Sequence, residues 1–350
     1  MRLLNNNKRL IGFVLCLCLA MTVTGCSKSG KQEESTNVSG LDGVTTDFLD
    51  DTVFTVADRR ISLTEWYLYA VSETAQIESM YGSDIWDYPV DTDGVTIEEK
   101  VRGDIRDQIV YVTTVCSQAE RLGVAINEDE QIDINIQCDE FMSKLTAEQI
   151  EKYGITSDAV KNVLADNLLA MKVYENLTLN IDTAIPEDEV RHMVLEYIMV
   201  PKTYEDEKTG DIVEYSASEQ AAMKAEEQEF LDSALASEGI VTLADIANEQ
   251  YSVVTLVADH DDLLDRFPEE LAEIAFSLRQ SEITGIFETD AGYFILNCVN
   301  RTDEKSTNEA RVEIIEARQK VLFEEQYEAW KKEVVVKYNY HLWDEITLHP

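Results

Sequence analysis

Few side chains in this 350-residue chain are capable of covalent or metal chemistry. Its six cysteines include Cys16 and Cys18 in an apolar leader and Cys26 just after it. The other three, Cys116, Cys138 and Cys298, form an odd set without metal-ligand spacing, so neither a zinc site nor a disulfide framework follows. Cys116 falls on a helical apolar stripe and Cys298 in a β-rich run, positions that suit small core residues. No acidic cluster has the spacing of a calcium loop. The reading therefore calls for no metal and no cofactor. Of the four histidines, His192 lies just ahead of an apolar run and His260 in an acidic loop. Hydroxyls and phenols remain, notably Tyr197 and, in "GIFETDAGYFILNCVN" (residues 285–300), Thr289. That stretch reads as a strand, a tight Thr-Asp-Ala-Gly turn and a second strand.

The thiol with the most telling context is Cys26. Residues 1–9 carry Arg2, Lys8 and Arg9 and no acid, and "LIGFVLCLCLAMTVT" is an uncharged run too short for a comfortable membrane span. This is the layout of a signal peptide, residues 1–25. It ends in "VTGC", which resembles the bacterial lipobox and would make Cys26 the lipidated first residue of the mature chain. The following "SKSGKQEESTNVSG" is polar and poor in apolar residues, so residues 26–44 read as a disordered tether. The expected location is the extracytoplasmic face of the cell membrane, held by lipid.

Charge narrows the partners. The chain has 29 basic and 69 acidic residues, a net of −40, and loss of residues 1–25 leaves 26 basic residues and a net of −43. Nucleic acid and anionic headgroups are polyanions, and both are excluded as partners by this balance. Two readings of the acidity stand together: a surface that attracts basic segments of unfolded polypeptides, or a solubilising charge habit of the source organism.

Residues 45–179 read as mostly helical. "TVFTVADRRISL" predicts a β-hairpin, and Ser62 with Glu65 a capping box opening the next helix. The strongest periodicity places Ile97, Val101, Ile105, Ile109, Val112, Cys116, Ala119 and Leu122 on one helical face, stopped at Gly123. A helix from "INEDEQIDINIQCDEF" and another from "GITSDAVKNVLADNLLAMKVYENL" follow. The order and spacing of these pieces resemble the N-terminal chaperone domain of the SurA and PrsA group of exported folding factors.

From Val194 the pattern changes. "VLEYIMVPK" reads as a buried strand, "YEDEKTGDIVEY" (residues 204–215) as a polar hairpin, and Ser216 with Glu219 as the cap of an acidic helix. A short helix from Thr242, the strand "YSVVTLV", a helix in "DRFPEELAEIAFSLRQSEI" and the 285–300 hairpin complete the order β, α, α, β, α, β, β. With "FPEELAEIAFSLRQSEITGIFETDAGYFIL", this resembles the parvulin domain, a small α+β peptidyl-prolyl isomerase fold. A long helix capped by Ser306 and Glu309 follows, with Val312, Ile315, Leu322, Phe323, Tyr327 and Trp330 on its apolar face, and a tail anchoring Trp343. The resemblance implies an α+β protein in which a C-terminal helix packs back on the helical domain. It divides the chain into a chaperone domain at 45–185, a parvulin-like domain at 186–303 and a completing segment at 304–350.

The activity implied is rotation about Xaa-Pro bonds, whose barrier is roughly 18–20 kcal/mol. No nucleophile is required, because a site that grips the proline ring and stabilises the twisted amide lowers that barrier. Parvulins resemble one another in using two histidines, an acid or cysteine, a hydroxyl and an apolar pocket. Carried onto this chain, the histidine positions fall at Tyr197 and Phe294, and the acid or cysteine near Val253 or Val254. Thr289 keeps the hydroxyl, and Phe267 and Leu271, joined by Phe294, make the proline pocket. Two readings stand side by side: Tyr197 and Thr289 organise a weak isomerase, or Tyr197 and Phe294 are strand aromatics filling the space of a lost network. The partners implied are unfolded or newly exported polypeptides. A holdase without isomerase activity is the alternative function. A solute-binding lipoprotein, with two α/β lobes, fits the helical stretches before residue 180 poorly.

Overall fold

The computed structural model describes residues 48, 51–92, 94–236, 242–247 and 251–348, so the leader, the tether and Cys26 lie outside the described residues. The chain forms two compact units, residues 1–180 with 320–350, and residues 181–319. The fold is α+β.

The first unit opens with the expected hairpin, β1 (Thr52–Val56) and β2 (Arg59–Ser62). Helix α1 (Leu63–Tyr81) begins at Ser62, whose hydroxyl accepts from the Glu65 amide at 3.1 Å. Only that half of the capping box forms. The Glu65 carboxylate turns instead to Arg59 at 2.7 Å, and the same guanidinium holds Asp166 at 2.5 Å. A charge-assisted bond to a half-buried guanidinium outcompetes the backbone amide of an N-cap.

Thr96 and Glu99 form the complete box that starts α2 (Ile97–Cys116), and Val101, Ile105, Ile109 and Val112 are all buried as the periodicity requires. The predicted single helix breaks at Ser117 and Gln118. A last turn, α3 (Ala119–Leu122), then closes on Gly123 at φ 68°, in the left-handed region where glycine stops helices without strain. Helices α4 (Glu128–Lys144), α5 (Ala147–Tyr153) and α6 (Ser157–Thr178) follow, capped by Asn127, Thr146 and Thr156.

The second unit contains α7 (Glu187–Val190), β3 (Met193–Pro201), the small hairpin β4 (Thr203–Glu205) and β5 (Ile212–Glu214), and α8 (Ala217–Ala236). It continues through α9 (Leu243–Ile246), β6 (Val253–Ala258), α10 (His260–Arg266), α11 (Glu269–Ser277), β7 (Phe287–Glu288) and β8 (Gly292–Asn300). The main sheet is antiparallel in the order β6-β3-β8-β7. Gly292 must be glycine, since a Cβ there would sit 2.3 Å from the Val200 carbonyl oxygen on the neighbouring strand.

Two helices exceed the expected order, the short α7 ahead of β3 and α10 after β6. The acidic stretch around His260 is not a loop but α10, because Asp259 and Asp262 exchange backbone and side-chain bonds in a capping box. Phe267 and Pro268 then separate α10 from α11, Pro268 standing at the N-cap.

The long helix α12 (Glu304–Lys331) begins two residues before Ser306, with the Asp303 carboxylate accepting from the Ser306 amide at 3.0 Å. Its predicted apolar face is used unevenly. Val312 is 51% exposed, while Phe323 and Trp330 are buried against Val112, Val115, Ala170 and Val173 in the first unit. Strand β9 (Val336–Tyr338) pairs with β1, giving the sheet β2-β1-β9. In α13 (Tyr340–Glu345), Trp343 packs edge-on against Phe54 and Tyr338, with the Arg102 guanidinium 4.9 Å from its ring centre.

Candidate functional site

The alternation of β3 and β8 sends their side chains to two separate cores. Met193, Leu195 and Tyr197 of β3 share a face with Phe294, Leu296 and Cys298 of β8, and α10 and α11 cover it with Leu263, Phe267, Leu271, Ala272 and Ala275. Ile198 and Ile295 point the other way, onto Phe230 and Leu231 of α8 and Leu243 of α9. On that second face the buried Glu196 carboxylate accepts from the Leu243 amide at 2.7 Å, which satisfies both a buried charge and the start of α9.

The first face is where the carried-over positions meet. Tyr197 lies edge-on to Phe267 with ring centres 5.2 Å apart and 6.3 Å from Phe294, and Phe267 is edge-on to Phe294 at 5.9 Å. These separations and angles suit aromatic quadrupoles. Leu271 is completely buried beneath them, and Phe267 and Phe294 expose only 4% and 8% of their surface. Leu271 therefore supports the cluster from below. Tyr197 pairs across the sheet with Leu296 on one side and Val254 on the other. Of the two valines that stood for the missing acid or cysteine, Val254 shares this face, while Val253 pairs with Ile198 and packs in the opposite core.

Thr289 stands in the hairpin turn. Its hydroxyl donates to the Gly292 carbonyl oxygen at 3.1 Å and accepts from the Ala291 and Gly292 amides at 3.2 and 3.1 Å. A hydroxyl has one proton and two acceptor positions. All three are engaged within the turn.

The polar contact that does reach the aromatic cluster was not foreseen from the sequence. Arg266, at the end of α10, donates from Nη1 to the Tyr197 hydroxyl at 3.1 Å. It also borders a cavity of about 370 Å³ lined by Leu256, Val257, Ala258, Asp262 and Asp265. No motif marks Arg266, because only the fold of α10 brings it to Tyr197.

Neither nearby imidazole joins this face. His192 precedes β3, with Nδ1 3.0 Å from the Val190 carbonyl oxygen, and the His260 Nε2 lies 3.0 Å from Glu273. His192, Asp259 and Asp262 do bring three potential metal-ligand atoms within 4.8 Å of one another. Both carboxylates are committed to the capping box of the seven-residue α10, and nothing further points to an ion.

The second face holds an unusual carboxyl group. Glu227 of α8 is fully buried, and neither carboxyl oxygen finds a hydrogen-bond partner among the described residues. Burial pushes its pKa from 4.5 up to about 7, with Lys224 one turn earlier acting in the opposite direction. The folded state thus holds this proton more tightly than the unfolded chain does. Its contribution to stability is complete below about pH 4.5 and is lost as the pH rises through about 7. At about 1.4 kcal/mol per pH unit this amounts to about 3 kcal/mol. Urea unfolding of Glu227→Gln should show that much less pH-dependence between pH 4.5 and 8 than the parent, and parallel pH profiles would refute the assignment.

Residues 197–313 match the sequence profile of the PPIC-type PPIASE domain. The chain therefore carries a parvulin domain of the PPIC type, built on the β6-β3-β8-β7 sheet. It is homologous to foldase protein PrsA: the protein of that name from Caldanaerobacter subterraneus is 24% identical over 289 residues, 81% of each chain. Among solved structures, a SurA-like chaperone of Campylobacter jejuni from a study of PEB4 and Cj1289 aligns with 83% of this chain and 99% of its own, at 11% identity and a TM-score of 0.29. PrsA of Bacillus cereus aligns with 72% of this chain and 91% of its own, at 13% identity and a TM-score of 0.27.

Proposed function

We propose that this protein is an extracytoplasmic foldase, anchored in the cell membrane by lipid on Cys26, that binds unfolded or newly exported polypeptides and isomerises proline bonds weakly or not at all. The homology to a foldase and the parvulin domain support the folding role. The leader and the "VTGC" sequence support the anchor.

The observation that carries the catalytic part is the composition of the sheet face. The positions expected to supply histidines and an acid or cysteine hold Tyr197, Phe294 and Val254, and the Thr289 hydroxyl is engaged in its own turn. What remains is an apolar aromatic cluster with one phenol and one guanidinium at its edge. This closed cluster aims no polar group at a twisted amide, and equal affinity for the planar and twisted forms would leave the barrier unchanged. Each tenfold in rate requires about 1.4 kcal/mol of stabilisation specific to the twisted state.

The test measures both properties on one preparation. The full chain should suppress aggregation of an unfolded, proline-containing protein while barely accelerating its proline-limited refolding. Robust acceleration that disappears in Tyr197→Phe or Arg266→Ala would overturn the weak-site reading. Absence of both effects would end the foldase proposal.

A further inference from the structure

The helical unit contains an apolar groove unrelated to the parvulin face. It lies among α1, α4 and α6, encloses about 330 Å³, and has Leu68 and Val160 buried at its floor. Its walls include Val71, Phe141, Leu145 and Leu164, all only half-buried. Apolar surface left open in this concave form is a feature of binding sites.

The polar groups around the groove restrict what it can hold. Deep in it, the Asn167 side-chain amide is already committed, donating to the Tyr69 hydroxyl at 3.1 Å and to the Val163 carbonyl oxygen at 2.8 Å. A small polar molecule would need convergent donors and acceptors to be oriented, and both protons of this amide are already used. Apolar side chains have no such need.

Charge identifies what must flank them. Helix α4 carries Glu128, Asp129, Glu130, Asp133, Asp139 and Glu140 against the single base Lys144; Glu130 is paired with Lys172 of α6, and Glu140 and Lys144 line the groove itself. Helix α1 adds Glu73 and Glu78 and has no lysine or arginine, its third acid, Glu65, being held by Arg59. This is a local excess of the same sign as the net charge of −40. A second copy of the chain would bring like charge to the groove, and an anionic lipid surface would be repelled.

We propose that this groove binds apolar segments of unfolded polypeptides that are flanked by lysine or arginine, a specificity that rests on the foldase reading and adds a binding site to it. The apolar residues enter between α1, α4 and α6, and the acidic helices attract the flanks.

The test uses the full chain and two fluorescent peptides with the same leucine- and phenylalanine-rich core, one with lysine flanks and its twin with glutamate flanks. The lysine-flanked peptide should bind at least about tenfold more tightly, and added salt should reduce that difference. Two variants fill the groove without emptying the core: Leu164→Trp and, at an exposed wall position, Ala75→Trp. Either one, if it melts like the parent, should weaken the lysine-flanked peptide by about tenfold or more. Undiminished binding by a folded Ala75→Trp protein would overturn the groove assignment while leaving the foldase reading intact. Equal affinity for the two peptides would overturn the charge specificity. A dimer in the parent that Ala75→Trp dissociates would assign the groove to a second copy and refute the proposal. No affinity for either peptide or for any unfolded chain would remove the foldase reading itself.

Discussion

Cys26→Ser should abolish acylation: in cells fed a labelled fatty acid, the parent chain is expected to take up label and the variant none. The expectation rests on the thiol being the acceptor, on the small residues Thr24 and Gly25 before it, and on the basic and apolar leader that ends there. Among the described residues no helix is long and apolar enough to cross a membrane. A single acyl chain binds a bilayer only marginally, whereas two or more hold stably. Persistent labelling of the serine variant would refute the lipid anchor.

Phe323→Ala should cost the helical unit about 3–5 kcal/mol. Phe323 is 1% exposed, with ring centres 5.0 Å from Tyr174, 6.1 Å from Tyr111 and 6.2 Å from Trp330. Its removal takes away buried apolar area and leaves a cavity that surrounding rings fill poorly. Val312→Ala in the same helix serves as the control: the side chain is half-exposed, and the change should stay within about 0.5 kcal/mol. Hydrogen exchange locates the effect, with protection falling in α2 and α6 before β3 and β8. Equal losses from the two substitutions, or no loss from Phe323→Ala, would show that the helix contributes little to that core.

The elements with strong local signals were legible in the sequence. Helix α2 is set by an uninterrupted three- and four-residue apolar spacing and a full capping box, and both depend only on neighbours along the chain. The two faces of β3 and β8 follow from strand alternation. Helix α10 was missed because its cap uses Asp262 in place of the usual Glu or Gln, within a stretch whose acidity reads as loop. Glu65 was assigned half correctly, since its competitor Arg59 becomes a partner only once the hairpin is folded.

The site divides in the same way. The meeting of Tyr197, Phe267, Leu271 and Phe294 followed from aligning an element order. The engagement of the Thr289 hydroxyl, the choice of Val254 over Val253, and the Arg266 contact depend on register and on a helix missing from the expected order. The groove among α1, α4 and α6 has no sequence signature. Its apolar residues have the same periodicity as any core face, and only assembly leaves part of that face uncovered.

The pairing of β1 with β9 governs the order in which the protein can assemble. Asn339 bonds the Thr52 carbonyl oxygen across a separation of 287 residues, and Phe323 and Trp330 reach their core from the same late segment. A chain emerging N-terminus first exposes β1 and the apolar faces of α2 and α6 long before the residues that finish their burial exist outside. The intervening 181–319 segment has its own sheet and cores and needs nothing from the last thirty-one residues to form them. The later-emerging segment can therefore fold first, and it then shortens the loop whose closure the earlier-emerging helices await. While it emerges, the protein is thus an incompletely folded polypeptide with exposed apolar surface, the same kind of chain it is proposed to assist.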